Sequence, residues 1–380
     1  MKKMLITGLL ITGVSTSYFA PLNTLADTPP NSQHTNSPNE FNVNRLKDSM
    51  VALGARMPVI EGYGLVLLKQ PNIEAPAIHG IAVDQQTARK YVQDWLDIHN
   101  PKLFSVNQDM MRFGKKFTTY YDKLLELAGQ MNENPQAKVA FVKAFNGIQN
   151  QMQATFLAMQ DVSADLSNYK NELDKDSKQF STKVGRAIEL YKGSNGDIEK
   201  LRTQIEKYDD EIQNEITKLL SLPSENLKDL IDIGEQIAQI HIDALNKSIN
   251  LSDVGLLFTN SGKALNTDVQ ELNNKITQKR QQKMESIKQL AGIEIQATQM
   301  ILVDQKLNNF TKLIKQQSQS FDKVVSSWER FNTTVMQVQA SLNSDKKIDS
   351  NALQTQLNEL KKFTDTLNIQ TQEYEGKLQK

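Results

Sequence analysis

Over residues 300–342 apolar side chains recur at alternating spacings of three and four. They are Met300, Val303, Leu307, Phe310, Ile314, Phe321, Val324, Trp328, Phe331, Val335, Val338 and Leu342, with Gln317 as the one polar member. This is a heptad seam of the kind that lines a coiled coil or a bundle helix. It predicts a helix from about 266 to 342, on the order of 115 Å long at 1.5 Å per residue. Residues 343–350 break the pattern, and a last helix is predicted from Asn351 to Leu378. The same period runs through 136–222. One interruption falls at GSNGD, residues 193–197. There two glycines end a helix and Asp197 caps the next, as a kink or short turn with helical spacing on both sides.

The first third of the chain carries shorter segments. Val43, Leu46, Met50, Leu53 and Met57 start a helical pattern that Pro58 is expected to kink or restart. YGLVLLKQP, residues 63–71, is apolar nearly all round and predicts burial on every side. Residues 71–83 read as a loop packed by Ile73, Ile78 and Val83. Asp84 then caps a helix running to Ile98. Asn100-Pro101 looks like a fresh helix start with proline at the first position. That helix runs to about Gly129 with Leu103, Val106, Met110, Phe113, Phe117, Tyr121 and Leu124 on its apolar face. Asn134-Pro135 repeats the device, and after it only Pro223 occurs.

Between the two long segments, residues 224–262 lose helical periodicity. Ile240, Ile242 and Ala244 alternate with Gln239, His241 and Asp243, and Ile249 and Leu251 alternate with Ser248, Asn250 and Ser252. A period of two with β-branched residues predicts a half-buried hairpin. Val254–Phe258 is more continuously apolar, with Gly255 inside it. Such a hairpin either caps the bundle tip or contributes strands to an oligomeric barrel. The segments flanking it are expected to form a long antiparallel pair with this stretch at its tip, and the remaining helices pack alongside. The expected fold is therefore mostly α: an elongated bundle of long helices, residues 41–223 and 263–380, with a small β-tongue head at 224–262. The apolar surface of that head is Ile237, Ile240, Ile242, Ile249, Leu251, Val254, Leu256, Leu257 and Phe258.

The N-terminus reads as a processing segment. Lys2 and Lys3 precede an apolar run, and Leu25-Ala26 closes a small-residue cleavage pattern, so residues 1–26 are expected to be a secretory signal peptide. Residues 27–40, rich in Pro, Asn, Ser and Thr, read as a disordered leader. Lys plus Arg and Asp plus Glu both number 44, so no basic field is available for nucleic acid. The chain has no cysteine and four histidines: His34, His79, His99 and His241. Disulfides, thiol catalysis and the usual zinc spacings are thereby excluded, and no cofactor or metal is expected. No P-loop, GxSxG or GxGxxG occurs, so the chain does not read as an enzyme. Asp174, Asp176, Asp209, Asp210 and Glu211 read as solvated carboxylates. Trp95 and Trp328 read as core residues, His99 as a helix-end residue, and KITQKRQQK at 275–283 as an exposed basic face.

Several stretches together carry a resemblance. MKKMLITGLL at the start, YGLVLLKQP, NPKL (100–103), MMRF (110–113), YYDKLLELAG (120–129), LDKDS (173–177) and GSNGDIEKLR (193–202) resemble the tripartite bacillus enterotoxins, the non-haemolytic enterotoxin and haemolysin BL family. The resemblance spans essentially the whole chain and implies a fold similar to cytolysin A. It also implies a secreted pore-forming toxin component that acts with two related secreted proteins, soluble as a monomer and oligomeric on the target-cell membrane. Several members of the family have a long apolar head segment, whereas here Glu235, Asp243, Lys247 and Asp253 interrupt it. The resemblance then implies a component that completes a lytic pore begun by its partners. The rival reading is a secreted helical adhesion rod without lytic activity.

Overall fold

The computed structural model describes residues 43–70, 72, 73, 75, 78–191, 197–221, 267–293, 295–342 and 348–378. Among these residues every regular element is helical. In chain order they are α1 (Val43–Lys69), α2 (Ile81–Asp94), a π-helical turn (Trp95–His99), α3 (Asn100–Gln130), α4 (Pro135–Tyr191), α5 (Asp197–Ser221), α6 (Thr267–Ile293), α7 (Ile295–Leu342) and α8 (Ser350–Leu378). Helix α4 has 57 residues and α7 has 48. At 1.5 Å per residue they are about 85 and 70 Å long, which makes the bundle elongated.

Side-chain pairs give the directions of packing. Ser181 meets Asp304, Ser163 meets Asp322, and Trp328 Nε1 donates to the Met152 carbonyl, so α4 and α7 run antiparallel. Asn107 donates to the Thr371 carbonyl and Gln354 to the Leu125 carbonyl, so α3 and α8 are antiparallel. Gln317 donates to the Leu53 carbonyl while Lys306 lies over Tyr63, which sets α1 antiparallel to α7. All twelve apolar seam residues and Gln317 are buried. At mid-bundle, Phe113 meets Trp328 and Phe331 edge-on at 5.1 and 5.4 Å, and Phe331 stacks on Phe363 at 4.4 Å. This aromatic knot joins α3, α7 and α8, and such ring pairs stabilise beyond the area they bury.

The two long predicted helices do not run through. Asp209 contacts both Lys283 and Lys306. On one unbroken helix those lysines would lie roughly 35 Å apart, so α6 and α7 lie side by side rather than end to end. Asp304 likewise contacts Ser181 on α4 and Arg202 on α5, residues about 30 Å apart on a straight helix. Helices α4 and α5 therefore lie side by side rather than end to end, and residues 193–196 of the GSNGD interruption lie outside the described residues. Helix α5 runs parallel to α7, since Arg202 pairs with Asp304 and Asp210 with Lys312. Helix α6 runs antiparallel to α5, since Glu211 pairs with Lys279 and Asp209 with Lys283. The expected single antiparallel pair is thus two pairs: α4 with α7, and a folded-back α5–α6 pair.

Smaller expectations also shift. Pro58 lies inside an uninterrupted α1, held against α7 where Gln317 grips the preceding turn. Helix α2 starts at Ile81 rather than Asp84, because Gly80 takes a left-handed φ of 79° that a side chain would resist. Val83 is then 63% exposed, whereas Ile73 and Ile78 pack on the core as expected, and Gln85 Oε1 also ties the loop by accepting from the Ile73 amide. Pro101 stands in the first turn of α3, as expected, but the chain stays helical before it. The π turn before it passes the Asn100 N–H to the Trp95 carbonyl and keeps the chain helical through a residue that lacks its own donor.

Candidate functional site

The nine apolar residues assigned to the head, together with His241, lie outside the described residues, as do residues 1–40. What is described is the pair of helices to which that segment joins. The parallel register of α5 along α7 carries Ser221, its last residue, toward the middle of α7 and away from the end of the bundle. Lys275 and Glu215, near the free ends of α6 and α5, interact across the pair. The α5–α6 hairpin therefore docks along the flank of the bundle, and its docking surface is the candidate functional site.

The site follows from helical spacing. Ile198, Leu201, Ile205, Asp209, Ile212 and Ile216 form the buried stripe of α5. Ile276, Arg280, Lys283, Ile287 and Leu290 form that of α6. Charged side chains thus sit in register with apolar ones and are carried inside. Three polar layers result. Nearest the start of α5, the Asp304 carboxylate accepts from Ser181 Oγ at 2.5 Å and Arg202 Nη2 at 3.0 Å, while Gln305 donates to the Arg202 carbonyl. Burial raises the Asp304 carboxyl above its usual range, and Ser181 and Arg202 oppose that rise.

At the centre Asp209 is 1% exposed. It accepts from Lys306 Nζ at 2.6 Å, from Asn309 Nδ2 at 3.0 Å and from Lys283. Lys306 also lies 4.9 Å from the Tyr63 ring centre, which brings α1 into the cluster. Burial pushes the Lys283 ammonium well down and the Tyr63 phenol well up. Arg280 beside them is brought down to about 10 by the same desolvation. At the rim, exposed Lys312 pairs with Asp210 at 2.7 Å and Lys279 with Glu211 at 2.6 Å. Two expectations are corrected here. Asp209 is a core residue, and the 275–283 stretch buries Ile276, Arg280 and Lys283, because the fold-back covers the faces that a straight helix would leave wet. Asp174 and Asp176 are also engaged, by Lys315 and by the Tyr91 hydroxyl.

A second feature lies at the π turn. The His99 ring packs 4.2 Å from Tyr169, whose hydroxyl donates to the Tyr91 carbonyl, and Trp95 stacks on the same tyrosine. His99 ends the π turn, as expected of a helix-end residue, and is also part of a packed aromatic group. Burial, then Lys102, lowers its pKa from 6.5, against Asp165 and Asp94. A base whose folded pKa is depressed stabilises less once it must charge. Stability is therefore expected to hold above pH 6.5 and to fall as pH drops through the lower folded value. His99→Phe should flatten that slope in urea titrations between pH 5 and 7.

Comparison with known proteins places this architecture. The fold is that of components of tripartite alpha-pore-forming toxins. It matches the Bacillus cereus HblL1 toxin component with a TM-score of 0.63 at 16% identity, over 88% of this chain and 96% of that one. It matches soluble SmhB of the tripartite toxin Smh from Serratia marcescens with a TM-score of 0.64 at 10% identity, over 89% and 93%. Soluble AhlB of the tripartite toxin AHL from Aeromonas hydrophila follows at 0.62 and 10%, over 87% and 92%. Residues 40–215 match the family model of the Bacillus haemolytic enterotoxin (HBL). No curated protein sequence matches the chain.

Proposed function

We propose that this chain is a secreted, non-enzymatic toxin component that assembles with two partner proteins on target-cell membranes and completes a lytic pore. The observation that carries the reading is the α5–α6 hairpin, docked on the bundle through buried ion pairs and joined at its free end to residues 222–266. Charged contacts of this kind specify one arrangement without stabilising it strongly, and the groups they hold rehydrate when parted. That suits a stored form that later rearranges to deliver its head. Within this reading residues 1–26 are the signal peptide, 27–40 the leader and 224–262 a head with a β-tongue. Ile237, Ile240, Ile242, Ile249, Leu251, Val254, Leu256, Leu257 and Phe258 then contact membrane or partner. The charges Glu235, Asp243, Lys247 and Asp253 disfavour unaided insertion and favour the role of component A of the non-haemolytic enterotoxin. Leu257→Asp is expected to reduce dye release from cells, measured with both partners present, to background while leaving helical content unchanged. Undiminished release from that variant would overturn the assignment of the head, and binding without release by the native chain would favour an adhesion rod.

A further inference from the structure

The buried cluster between α5, α6 and α7 brings two ammonium groups onto one carboxylate. Asp209 is its carboxylate, and two ammonium groups, Lys306 of α7 and Lys283 of α6, both contact it. Asn309 of α7 donates to the same carboxylate, Tyr63 of α1 lies against Lys306, and Asp210 follows on α5. Lys283 occupies a stripe otherwise filled by Ile276, Ile287 and Leu290, with Arg280 one turn away, and its side chain is 3% exposed. A second positive charge in the same dry pocket repels the first, and its removal from water is costly.

We propose that Lys283 is a release residue: by placing a second ammonium beside the Asp209–Lys306 pair it weakens the docking of the α5–α6 hairpin, so that the hairpin can leave the bundle. The proposal deepens the reading of the chain as a toxin component whose docked hairpin is its stored state. Burial disfavours the charged Lys283 head group, as its lowered pKa reflects. Undocking returns that group to water and relieves the cost. An apolar side chain of similar length keeps the packing and lacks the penalty.

The experiment uses the full chain, which has no native cysteine. Dyes attached through Lys218→Cys on α5 and Glu329→Cys on α7 report undocking in a urea series by energy transfer. Lys283→Met is expected to make the undocked form about tenfold less populated and to slow lysis with partners present. Lys306→Met is expected to act in the opposite direction, since it leaves Asp209 facing a lysine whose charge is disfavoured. If Lys283→Met undocks at lower urea, as Lys306→Met does, Lys283 is an ordinary stabilising partner and the proposal fails. Tighter docking with an unchanged rate of lysis overturns the release role of Lys283, whereas absence of lysis by the native chain with both partners present sinks the toxin reading on which it rests.

Discussion

Asp209→Leu is expected to cost about 3–5 kcal/mol of hairpin docking, the range for breaking a buried ion pair from one side. The substitution removes the carboxylate that Lys306 and Lys283 share, and with it the acceptor of Asn309. Both lysines then stay buried in a pocket that cannot solvate them, and the structure relieves this by parting α5 and α6 from the bundle. The main bundle should survive, because its seam from Met300 to Leu342 and the knot of Phe113, Trp328, Phe331 and Phe363 lie on other faces. The expected result is a new, low-urea transition seen by probes on α5, with the main transition nearly unmoved. Combining Asp209→Leu with Lys283→Met and Lys306→Met should restore much of the loss, since an apolar trio needs no solvation.

Much of the bundle was legible in the residues. The three-four spacing of the α7 seam is a local signal, and every position it marked is buried. Asn134 caps α4 through the Gln136 amide, and Asp349 caps α8 through Asn351 and Ala352, both as turn chemistry dictates. The side-by-side placements of α4 with α5 and of α6 with α7 were not legible as such. A Gly-Ser-Asn-Gly stretch permits a kink as readily as a full turn, and nothing at Gly292–Glu294 contains proline. Two weaker signals did point to the fold-back. Asp209, Arg280 and Lys283 each fall at a position where the helical period demands an apolar side chain, and Met300-Ile301-Leu302-Val303 is apolar on all sides of its helix. A helix covered all round needs neighbours on every face, and α5 and α6 supply the missing ones. The charges there read as solvated because burial depended on a partner roughly a hundred residues away.

Covalent closure of the hairpin should abolish lysis, the largest functional effect the structure implies. Asp210 and Lys312 pair across the rim of the docking surface and are 44% and 42% exposed. Replacing both with cysteine removes an exposed ion pair, worth about 0–1 kcal/mol, so the double variant should dock and lyse nearly as the native chain does. A short bis-maleimide with a central disulfide would then tie α5 to α7. With the linker intact and both partner components present, dye release from target cells is predicted to stay at background, and reduction of the linker should restore it. Full release while the linker remains intact would contradict the central claim, because the hairpin would then play its part without leaving the bundle.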